Sequence, residues 1–495
     1  MVPAERVDVI TTVWGDWHTN AFVSACLPSL LAEGNLPALA AQHPCRYCIV
    51  TDRRSAETIR ASLTFRRLRE VVEPILFILD DKHFAGEGNS AAVANQSSTW
   101  GWQIQRSKVK QSKIILMGPD IVTANGSLGH IGELFQVGER AIFTKAIRSI
   151  DETCRPCLGA FAGSDGTIRI DSRSLVRLTI EHLHPLVGEH LLGNERFAAH
   201  SELLLQSIPD QGFAMRVLAS EVFAFDSKHV ALDQWNAPVI DFAPAMVLDS
   251  DDFFQTSLTP LYKDADWYYL PYKGTPAAVA RWWSAHDSEI FDELARRTFV
   301  CHVDGATGER WQQADETLTR FLALVEPRKN LLRIWLAIKI EPGLDVMRSI
   351  LAAAVFGRNG DVGFGAGGPL TLFLPDDQTL EEMSPWFLDA LLSGERVDVW
   401  QTFVSAMVVP GSLTVDGSGK AVGRTLAGTT VELVRTRDGF SANDMRLVGD
   451  VRIARGGHKV YRLASGGMLA GAFVQSVAAK PAIASGGVAM TSVLE

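Results

Sequence analysis

Short β-branched runs alternate with helical segments over the first 150 residues, and this alternation constrains the fold more than any other feature. Val7–Val13 is apolar or β-branched almost throughout, which predicts a strand buried on both faces. Residues 47–51, 75–79, 113–117 and 140–144 predict further strands. Strands separated by helices of this length pair in parallel through crossover connections. The sequence therefore predicts an α/β fold, a mostly parallel sheet with flanking helices.

The segments between these runs have apolar residues at helical spacing. Residues 22–31 predict a helix that kinks or restarts at Pro28. Residues 55–68 predict one helix, with Ser55 as a possible cap. Residues 90–107 and 128–137 predict two more helices on the faces of the sheet.

The rest of the chain divides by its pattern. Residues 1–300 predict one domain, with a sheet core over 5–150 and an acceptor region over 151–300. Residues 301–397 predict a helical region with a glycine-rich link, in which Pro327 and Pro342 break the helices. Residues 398–495 predict a small β-rich module, because short β-branched runs alternate there with glycine.

Charge and hydropathy limit the partners. The formal net charge is −10, which disfavours nucleic acid and anionic membrane surfaces as ligands. No apolar run approaches the ~20 residues that a transmembrane helix needs. The first residues carry mixed charge without the apolar stretch of a signal peptide, so we expect a cytoplasmic location.

Polar residues follow three predicted strands, where ligands of open parallel sheets bind. They are Trp14-Gly15-Asp16, Asp52-Arg53 and Asp120. A nucleotide across the first two, with its phosphates and a divalent metal near Asp120, is the resulting hypothesis. Asn125 belongs to the same segment, although capping of the following helix is the better explanation for Asn125 and Ser127 taken alone.

The segments 7–16, 27–37 and 119–127 together resemble uncharacterised bacterial glycosyltransferase-like proteins, which are similar to the GT-A fold. The resemblance covers residues 5–150, with weaker similarity to about residue 300. It implies a GT-A-like domain that binds a nucleotide sugar. GT-A enzymes usually carry an Asp-x-Asp metal motif after the fourth strand, whereas this chain has the single acid Asp120 there.

The resemblance also implies roles for individual residues. Thr12, Trp14 and Asp52 would line the nucleoside pocket, and Asp120 would hold metal or sugar, with Mg²⁺ or Mn²⁺ as the possible cofactor. The candidate bases of an inverting mechanism are Asp165, His184 and Glu195. A retaining mechanism remains open, because it requires no such base.

Other clusters offer metal ligands. Asp249-Ser-Asp-Asp252 contains a literal Asp-x-Asp and is a second candidate metal site, although such acids also fit a solvated loop. The pairs Cys45/Cys48 and Cys154/Cys157 could form a four-thiolate zinc site, but buried free thiols explain these cysteines better. Histidines 182, 184 and 190 lack the spacing of a zinc protease.

The function that these patterns favour is a glycosyltransferase that moves a sugar from a nucleotide-sugar donor to a bacterial surface glycan or related acceptor during polysaccharide biosynthesis. One alternative is a non-catalytic glycan- or nucleotide-binding protein on the same scaffold, which the single acid at Asp120 favours. Another is a structural or assembly protein whose C-terminal regions bind a partner.

Overall fold

The computed structural model describes most of the 495 residues. The described ranges are 5–84, 89–219, 222–233, 238–262, 273–285, 289–356, 369–381, 385–393, 397–437, 439–443, 445–454 and 458–463. The chain forms two compact units, one of residues 1–275 with 290–320 and one of residues 276–289 with 321–495.

A mostly parallel central sheet organises the first unit, as the sequence predicts. Its strand order is β13-β6-β10-β4-β1-β2-β3. The strands are β1 Val7–Val13, β2 Cys45–Thr51, β3 Glu73–Ile78, β4 Lys113–Met117, β6 Ala141–Phe143, β10 Ala224–Asp226 and β13 Ala245–Met246. Strand β1 is parallel to both β2 and β4, and β10 lies antiparallel between β4 and β6. The fold is therefore α/β with the crossover connections expected from the alternation.

Both faces of the central sheet are buried, which explains the continuous apolar runs. In β1, Val9 packs into one hydrophobic cluster and Ile10 into another. Ile115 and Ile114 of β4 divide between the same two clusters. Successive side chains of a strand point to opposite faces, so a strand between two helical layers needs apolar residues at every position.

Helices of the first unit flank this sheet. They are α1 Asp16–Ala21, α2 Leu27–Leu30, α3 Leu36–Gln42, α4 Arg53–Ala61, α5 Leu63–Val71, α6 Asn89–Val109, α7 Ser127–Gln136, α8 Asp151–Cys157, α9 Ser172–Glu181 and α11 Glu289–Arg296. A π-helical turn, Phe22–Cys26, connects α1 to α2 just before Pro28. An irregular turn near a proline is a common way for a helix to change direction.

The single helix predicted over residues 55–68 is wrong. Two helices occupy this stretch, because Ser62 ends α4 in an extended conformation and caps α5, accepting a hydrogen bond from the Phe65 N–H. The first helix is capped by Asp52 and not by Ser55. A serine side chain can accept hydrogen bonds from the free backbone N–H groups at the start of a helix. The spacing of apolar residues alone does not indicate where this happens.

The first unit also contains smaller sheets. One has the order β5-β14-β7, with strands Ile121–Thr123, Gln255–Thr259 and Ala146–Ile150. Another has the order β15-β9-β8, with strands Phe299–His302, Gly212–Val217 and Leu203–Ile208. A short pair joins β11 Ala231–Leu232 to β12 Pro238–Val239.

The second unit combines helices with one further sheet. Its helices are α10 Pro276–Ala285, most of α12 Glu309–Ile338, α13 Asp345–Phe356, α14 Asp377–Glu381, α15 Pro385–Ser393 and α16 Val397–Met407. The sheet has the order β17-β16-β22-β21-β20-β19-β18. Its strands are β16 Leu370–Pro375, β17 Val408–Pro410, β18 Lys420–Arg424, β19 Thr430–Thr436, β20 Gly439–Ala442, β21 Met445–Ala454 and β22 His458–Leu463.

Of the two helix breaks predicted at prolines, one is confirmed and one is wrong. Pro342 lies between α12 and α13, as predicted, whereas the break predicted at Pro327 is wrong because α12 continues through it. The glycine-rich link over 357–368 lies outside the described residues. Among the helices that the structure describes, none combines the length and apolarity needed to cross a membrane.

Candidate functional site

A cleft of about 560 Å³ lies where β1 and β2 end. Gly15 and Asp16 come from the turn after β1, and Asp52, Arg53 and Arg54 come from the turn after β2. The two turns are joined by a hydrogen bond of 3.4 Å from the Gly15 N–H to Asp52 Oδ2. Parallel pairing of β1 with β2 brings these carboxyl ends together, so the cleft occupies the position where open α/β sheets bind ligands.

Asp52 is held in place by the helix that it caps. Its Oδ1 accepts a hydrogen bond of 2.8 Å from the Ser55 N–H, and its Oδ2 accepts one of 2.6 Å from the Ser55 hydroxyl. Burial alone would raise the pKa of Asp52, but the hydrogen bonds from Ser55, Gly15 and Arg54 together lower it below the usual value. The carboxylate is therefore ionised and fixed at the cleft wall.

Aromatic rings stand beside the cleft. Trp14 is stacked between His18 and Phe84, with a ring-centroid distance of 5.4 Å to each. Phe84 lines the cleft, and its ring is tilted 20° from that of Trp14. A flat, half-buried aromatic surface of this kind can stack with a planar ring of a ligand.

Thr12 and Asn125 serve the framework around this edge. Thr12 is fully buried, and its hydroxyl shares a hydrogen bond of 2.8 Å with the Thr99 hydroxyl. Asn125 Oδ1 accepts a hydrogen bond of 2.8 Å from the Gly34 N–H. Neither Asn125 nor Ser127 caps α7, because Gly126 is the N-cap and the Leu128 N–H donates to Asn35.

Asp120 lies just past the end of β4 and is half-buried. Its Oδ2 accepts a hydrogen bond of 2.8 Å from the Ser257 hydroxyl, and its carbonyl oxygen accepts one of 2.9 Å from the Leu258 N–H. Gly118 leaves room for the carboxylate, since a Cβ there would lie 3.0 Å from Asp120 Oδ1. The side chain is thus positioned by its neighbours and keeps one oxygen close to the strand end.

A second depression, of about 520 Å³, lies along the π-turn, α2 and α8. We call it the side depression, and Ser24, Pro28, Asp151, Arg155, Leu158 and Ile168 are among its lining residues. Asp151 follows β7 directly and is 3% exposed. Its Oδ2 accepts hydrogen bonds from Trp17 Nε1, at 2.8 Å, and from Arg155.

The other oxygen of Asp151 is unusual. Oδ1 is shielded from solvent and has no hydrogen-bond partner within the described part of the chain. A buried carboxylate oxygen without a donor is unfavourable by about 1–3 kcal/mol, so natural proteins seldom keep one without a use. A hydroxyl group in the side depression would supply the missing donor only after the side chain turned Oδ1 towards it, because this oxygen is shielded from solvent.

The three candidate bases are not brought together. Asp165 accepts hydrogen bonds from Thr167 and pairs with Arg169 at 2.6 Å. His184 is buried, with Nδ1 accepting from the Leu186 N–H and Nε2 3.3 Å from the Pro260 carbonyl oxygen. Glu195 is exposed in a turn.

The residues that could hold a metal lie elsewhere. Asp249, Asp251 and His302, here called the Asp–His cluster, have ligand atoms within 4.8 Å of one another. Among the described residues, Asp120 belongs to no such group of three. The literal Asp-x-Asp of the sequence is thus paired with a histidine more than 50 positions later, a partner that sequence reasoning missed.

The cysteine pairs do not converge. Three residues apart in a strand, Cys45 and Cys48 face opposite sides of β2 and pack against different hydrophobic clusters. Burial raises the pKa of Cys45 to about 12 and that of Cys154 to about 12. Among the described residues, the group of three possible metal ligands contains no cysteine, which fits free thiols.

Sequence reasoning also missed Asp151. The signal was present, because Asp151 is the first residue after β7, whereas Asp120 follows β4 after two intervening residues. Residues 146–150 were not recognised as a strand, since their alternation includes Arg148 and Ser149. Without that strand, the sequence gives no reason to place Asp151 and Glu152 at a strand end.

Comparison with known proteins gives matches among solved structures. No protein-family model matches the chain, and no curated protein matches it. Among solved structures, the apo form of mouse xyloside xylosyltransferase 1 is similar at 14% identity and a TM-score of 0.20. The match covers 32% of this chain and 57% of that enzyme, so the chain spans just over half of its length.

Proposed function

We propose that this chain is a glycosyltransferase with a GT-A-like domain, which binds a nucleotide sugar in the cleft and transfers the sugar to a glycan acceptor. The observation that carries the proposal is the cleft itself, which is built from the turns after two parallel strands and contains an ionised Asp52 beside an aromatic stack. The finer version places the reaction in the cytoplasm of a bacterium, in the synthesis of a surface polysaccharide.

The donor would lie along the carboxyl edge of the sheet. Phe84, which lines the cleft and stacks on Trp14, offers a flat surface for the nucleobase, and Asp52 offers a carboxylate for the hydroxyl groups of the ribose. Arg53 lies at the start of α4, where an arginine and backbone N–H groups attract the diphosphate. The buried Thr12 stabilises the end of β1 through the hydrogen bond of its hydroxyl to Thr99.

Asp120 would contact the sugar or a Mg²⁺ or Mn²⁺ ion at the diphosphate. One carboxylate shared with phosphate oxygens is a donor set that Mg²⁺ uses, so the residues present fit this group. When bound, the ion would neutralise charge on the departing nucleoside diphosphate. Ser257 orients the carboxylate through its hydrogen bond to Oδ2.

The acceptor would occupy the side depression. Pro28, Leu158 and Ile168 offer apolar surface, on which the C–H face of a sugar can pack, and Asp151, which lines the same depression, offers a carboxylate for a hydroxyl group. In an inverting reaction, the acceptor oxygen bonds to the anomeric carbon as the bond to the diphosphate breaks. The hydroxyl proton passes to Asp151 Oδ1 after the side chain turns this shielded oxygen towards the side depression, and Asp151 replaces Asp165, His184 and Glu195 as the preferred base in this proposal.

The second candidate is a protein that binds the same nucleotide sugar or a glycan without transferring it. The isolation of Asp120 from other acids among the described residues favours this alternative. Turnover distinguishes the two functions, because both predict binding in the cleft.

The first test is a thermal-shift screen of the full chain against UDP-, GDP-, CMP- and dTDP-sugars, with and without Mg²⁺ or Mn²⁺. A donor at 100 times its Kd should stabilise the first unit by about 2.7 kcal/mol. In Asp52→Ala we expect this shift to disappear, because the variant loses the ribose contact and the bond between the two turns.

Asp171→Ala is the matched control. Asp171 also caps a helix of the same unit, accepting from the Ser174 N–H at 2.9 Å, so both variants lose a cap worth about 1 kcal/mol. Only Asp52→Ala should lose the donor response. An equal response of the two variants to every donor would place the nucleotide outside the cleft.

A further inference from the structure

The last turns of α6 carry three large side chains on one side of the helix. Trp102, Arg106 and Lys110 are spaced four residues apart, and Lys110 directly follows the last residue of α6. The first two face the edge strand β3, because the Phe77 ring lies 5.1 Å from the Trp102 ring and 4.3 Å from Arg106 Cζ. We call these three residues of the helix the α6 stripe.

The α6 stripe is open to solvent on a helix that is fixed to the sheet. Trp102 is 46% exposed, Lys110 is exposed and Arg106 is half-buried. The adjoining face of α6 packs on β1, where the Ser107 hydroxyl donates to Asp8 Oδ2 at 3.0 Å. A ligand can therefore reach the stripe without moving the helix.

Two further arginines beside β1 share one carboxylate. Asp8 lies near the start of β1 and is 1% exposed. Its Oδ1 accepts hydrogen bonds from Arg6 Nε at 3.1 Å and from Arg46 Nε at 3.0 Å. Its Oδ2 accepts another from Arg46 Nη2 at 3.1 Å. One negative charge thus balances two positive charges, and the group as a whole stays positive.

The positive charges around Lys110 are not neutralised. The charges of Arg46 and Arg106 are the two largest influences that lower the pKa of Lys110 below its usual value, and Arg6 acts in the same direction. The Asp8 carboxylate opposes them only in part. Among the ion pairs of the described residues, none includes Arg106 or Lys110. Both side chains are therefore available to an anion.

Other nearby groups offset only part of this charge. The C-terminal end of a helix such as α6 carries about half a negative charge. Glu73 is exposed at the start of β3, in register with Arg46. The Cys48 thiol adds no charge, because burial raises its pKa to about 11. The cations remain in excess here, on a chain whose formal net charge is −10.

We propose that the α6 stripe binds a phosphate group, with Arg106 and Lys110 as its hydrogen-bond donors and with Arg6 and Arg46 raising the local positive potential. The planar guanidinium donates two parallel hydrogen bonds to phosphate oxygens, and the ammonium adds a third donor one helical turn away. Trp102 offers ring surface to a base attached to the phosphate. The group belongs either to the free phosphate ion or to a nucleotide.

This site is separate from the cleft of the proposed function. Asp8 lies near the start of β1 and Gly15 follows the end of that strand. An extended strand of this length separates the two sites by roughly 20 Å. Binding at the α6 stripe does not depend on the proposed transferase activity.

The test is calorimetric titration of the full chain with inorganic phosphate and, separately, with AMP and UMP, at low ionic strength and without divalent metal. We expect one site that added salt weakens, because the contacts are charged and exposed. Arg106→Gln should weaken phosphate binding about tenfold or more, and Lys110→Gln several-fold. If Arg106→Gln does not fold, the exposed Lys110 decides.

Lys108→Gln is the matched control. It removes the same charge from the same turn of α6, but its side chain lies about 200° around the helix from Arg106. Phosphate binding should change less than in either stripe variant. Equal losses in Lys108→Gln and Arg106→Gln would reduce the effect to net charge and overturn the proposal.

Arg53→Gln separates the stripe from the cleft, which Arg53 lines. Phosphate binding should survive this substitution. Loss of binding in Arg53→Gln with full binding in Arg106→Gln would place the anion in the cleft and overturn the proposal, as would undetectable binding of all three compounds.

The two nucleotides distinguish the sources of the phosphate group. Tighter binding of AMP or UMP than of inorganic phosphate, with Trp102→Leu removing the difference, would identify a nucleotide as the ligand. Equal affinities that Trp102→Leu leaves unchanged would identify the phosphate ion alone. Both results support the site.

Discussion

At the scale of single residues, burial and hydrogen bonding decide what each acid can do. Asp52, Asp120 and Asp151 each follow a strand of the first unit, yet their surroundings differ. Asp52 caps a helix, Asp120 accepts from a serine, and Asp151 keeps one buried oxygen without a partner among the described residues. The acids therefore fit different tasks, although their positions in the sequence look alike.

Asp151→Asn tests the proposed base. We expect kcat to fall by a factor of about 10²–10⁴, because the amide cannot take the acceptor's proton, while the thermal shift with donor remains. Initial rates with saturating donor measure the loss. Glu70→Gln is the control, since Glu70 is an exposed acid paired with Arg67 and lines neither the cleft nor the side depression. Equal rates for wild type and Asp151→Asn would remove Asp151 from the mechanism.

His190 makes the stability of the fold depend on pH. Burial lowers its pKa from the usual 6.5 to about 4, with the charges of Glu202, Arg148, Glu189 and Lys145 as smaller influences. Between pH 6.5 and pH 4 the unfolded chain binds this proton and the folded chain does not, so stability falls as the pH falls through that window. Denaturant unfolding at intervals of pH should show a shallower slope in His190→Asn than in wild type.

The same substitution at the exposed His83 is the reference for this comparison. If His190→Asn and His83→Asn have the same pH slope as wild type, His190 does not contribute to the dependence.

At the scale of elements, capping and tertiary packing override simple rules of helix breaking. Ser62 divides residues 53–71 into two helices, although the apolar spacing continues across it. Pro327, by contrast, fails to interrupt the longest described helix. Its buried neighbours Val325 and Lys329 show that packing on the core outweighs the missing N–H bond at this position.

Pro327→Ala should therefore stabilise the second unit. The replacement restores a backbone N–H that can donate to the Ala323 carbonyl oxygen and removes a ring clash of about 3 kcal/mol. Loss of two buried ring carbons offsets about 1.6 kcal/mol of this gain. Denaturant unfolding should show a net increase of about 1–2 kcal/mol. Pro276→Ala, at the first position of α10 where proline is tolerated, should change little.

A decrease in stability for Pro327→Ala would mean that the ring packs too well to be replaced. In that case the buried proline contributes more to the core than its missing hydrogen bond removes.

At the scale of the whole molecule, each of the two units combines segments that are separated in the sequence. The first unit includes residues 290–320, so the strand β15 lies beside β9 although more than 80 residues separate them. In the second unit, β16 pairs with both β17 and β22. The first strand of this sheet is thereby joined to the last described strand of the chain. Pairings of this range leave no local pattern in the sequence.

The sequence by itself determined the α/β class and the parallel strands of the central sheet. Val7–Val13 and Lys113–Met117 were predicted to the residue, because a strand buried on both faces must be apolar throughout. It also placed Trp14, Asp52 and Asp120 at strand ends, since an acid or glycine after such a run is a local signal.

Only the tertiary structure decided which of these residues meet. It joined His302 to Asp249 across 53 positions, and it gave Asp151 a buried oxygen beside the side depression. It also engaged His184 in a cap, which no periodicity indicates. The physical reason is that burial, charge and hydrogen bonding depend on what the folded chain brings near a residue, whereas sequence spacing reports only what lies on its own element.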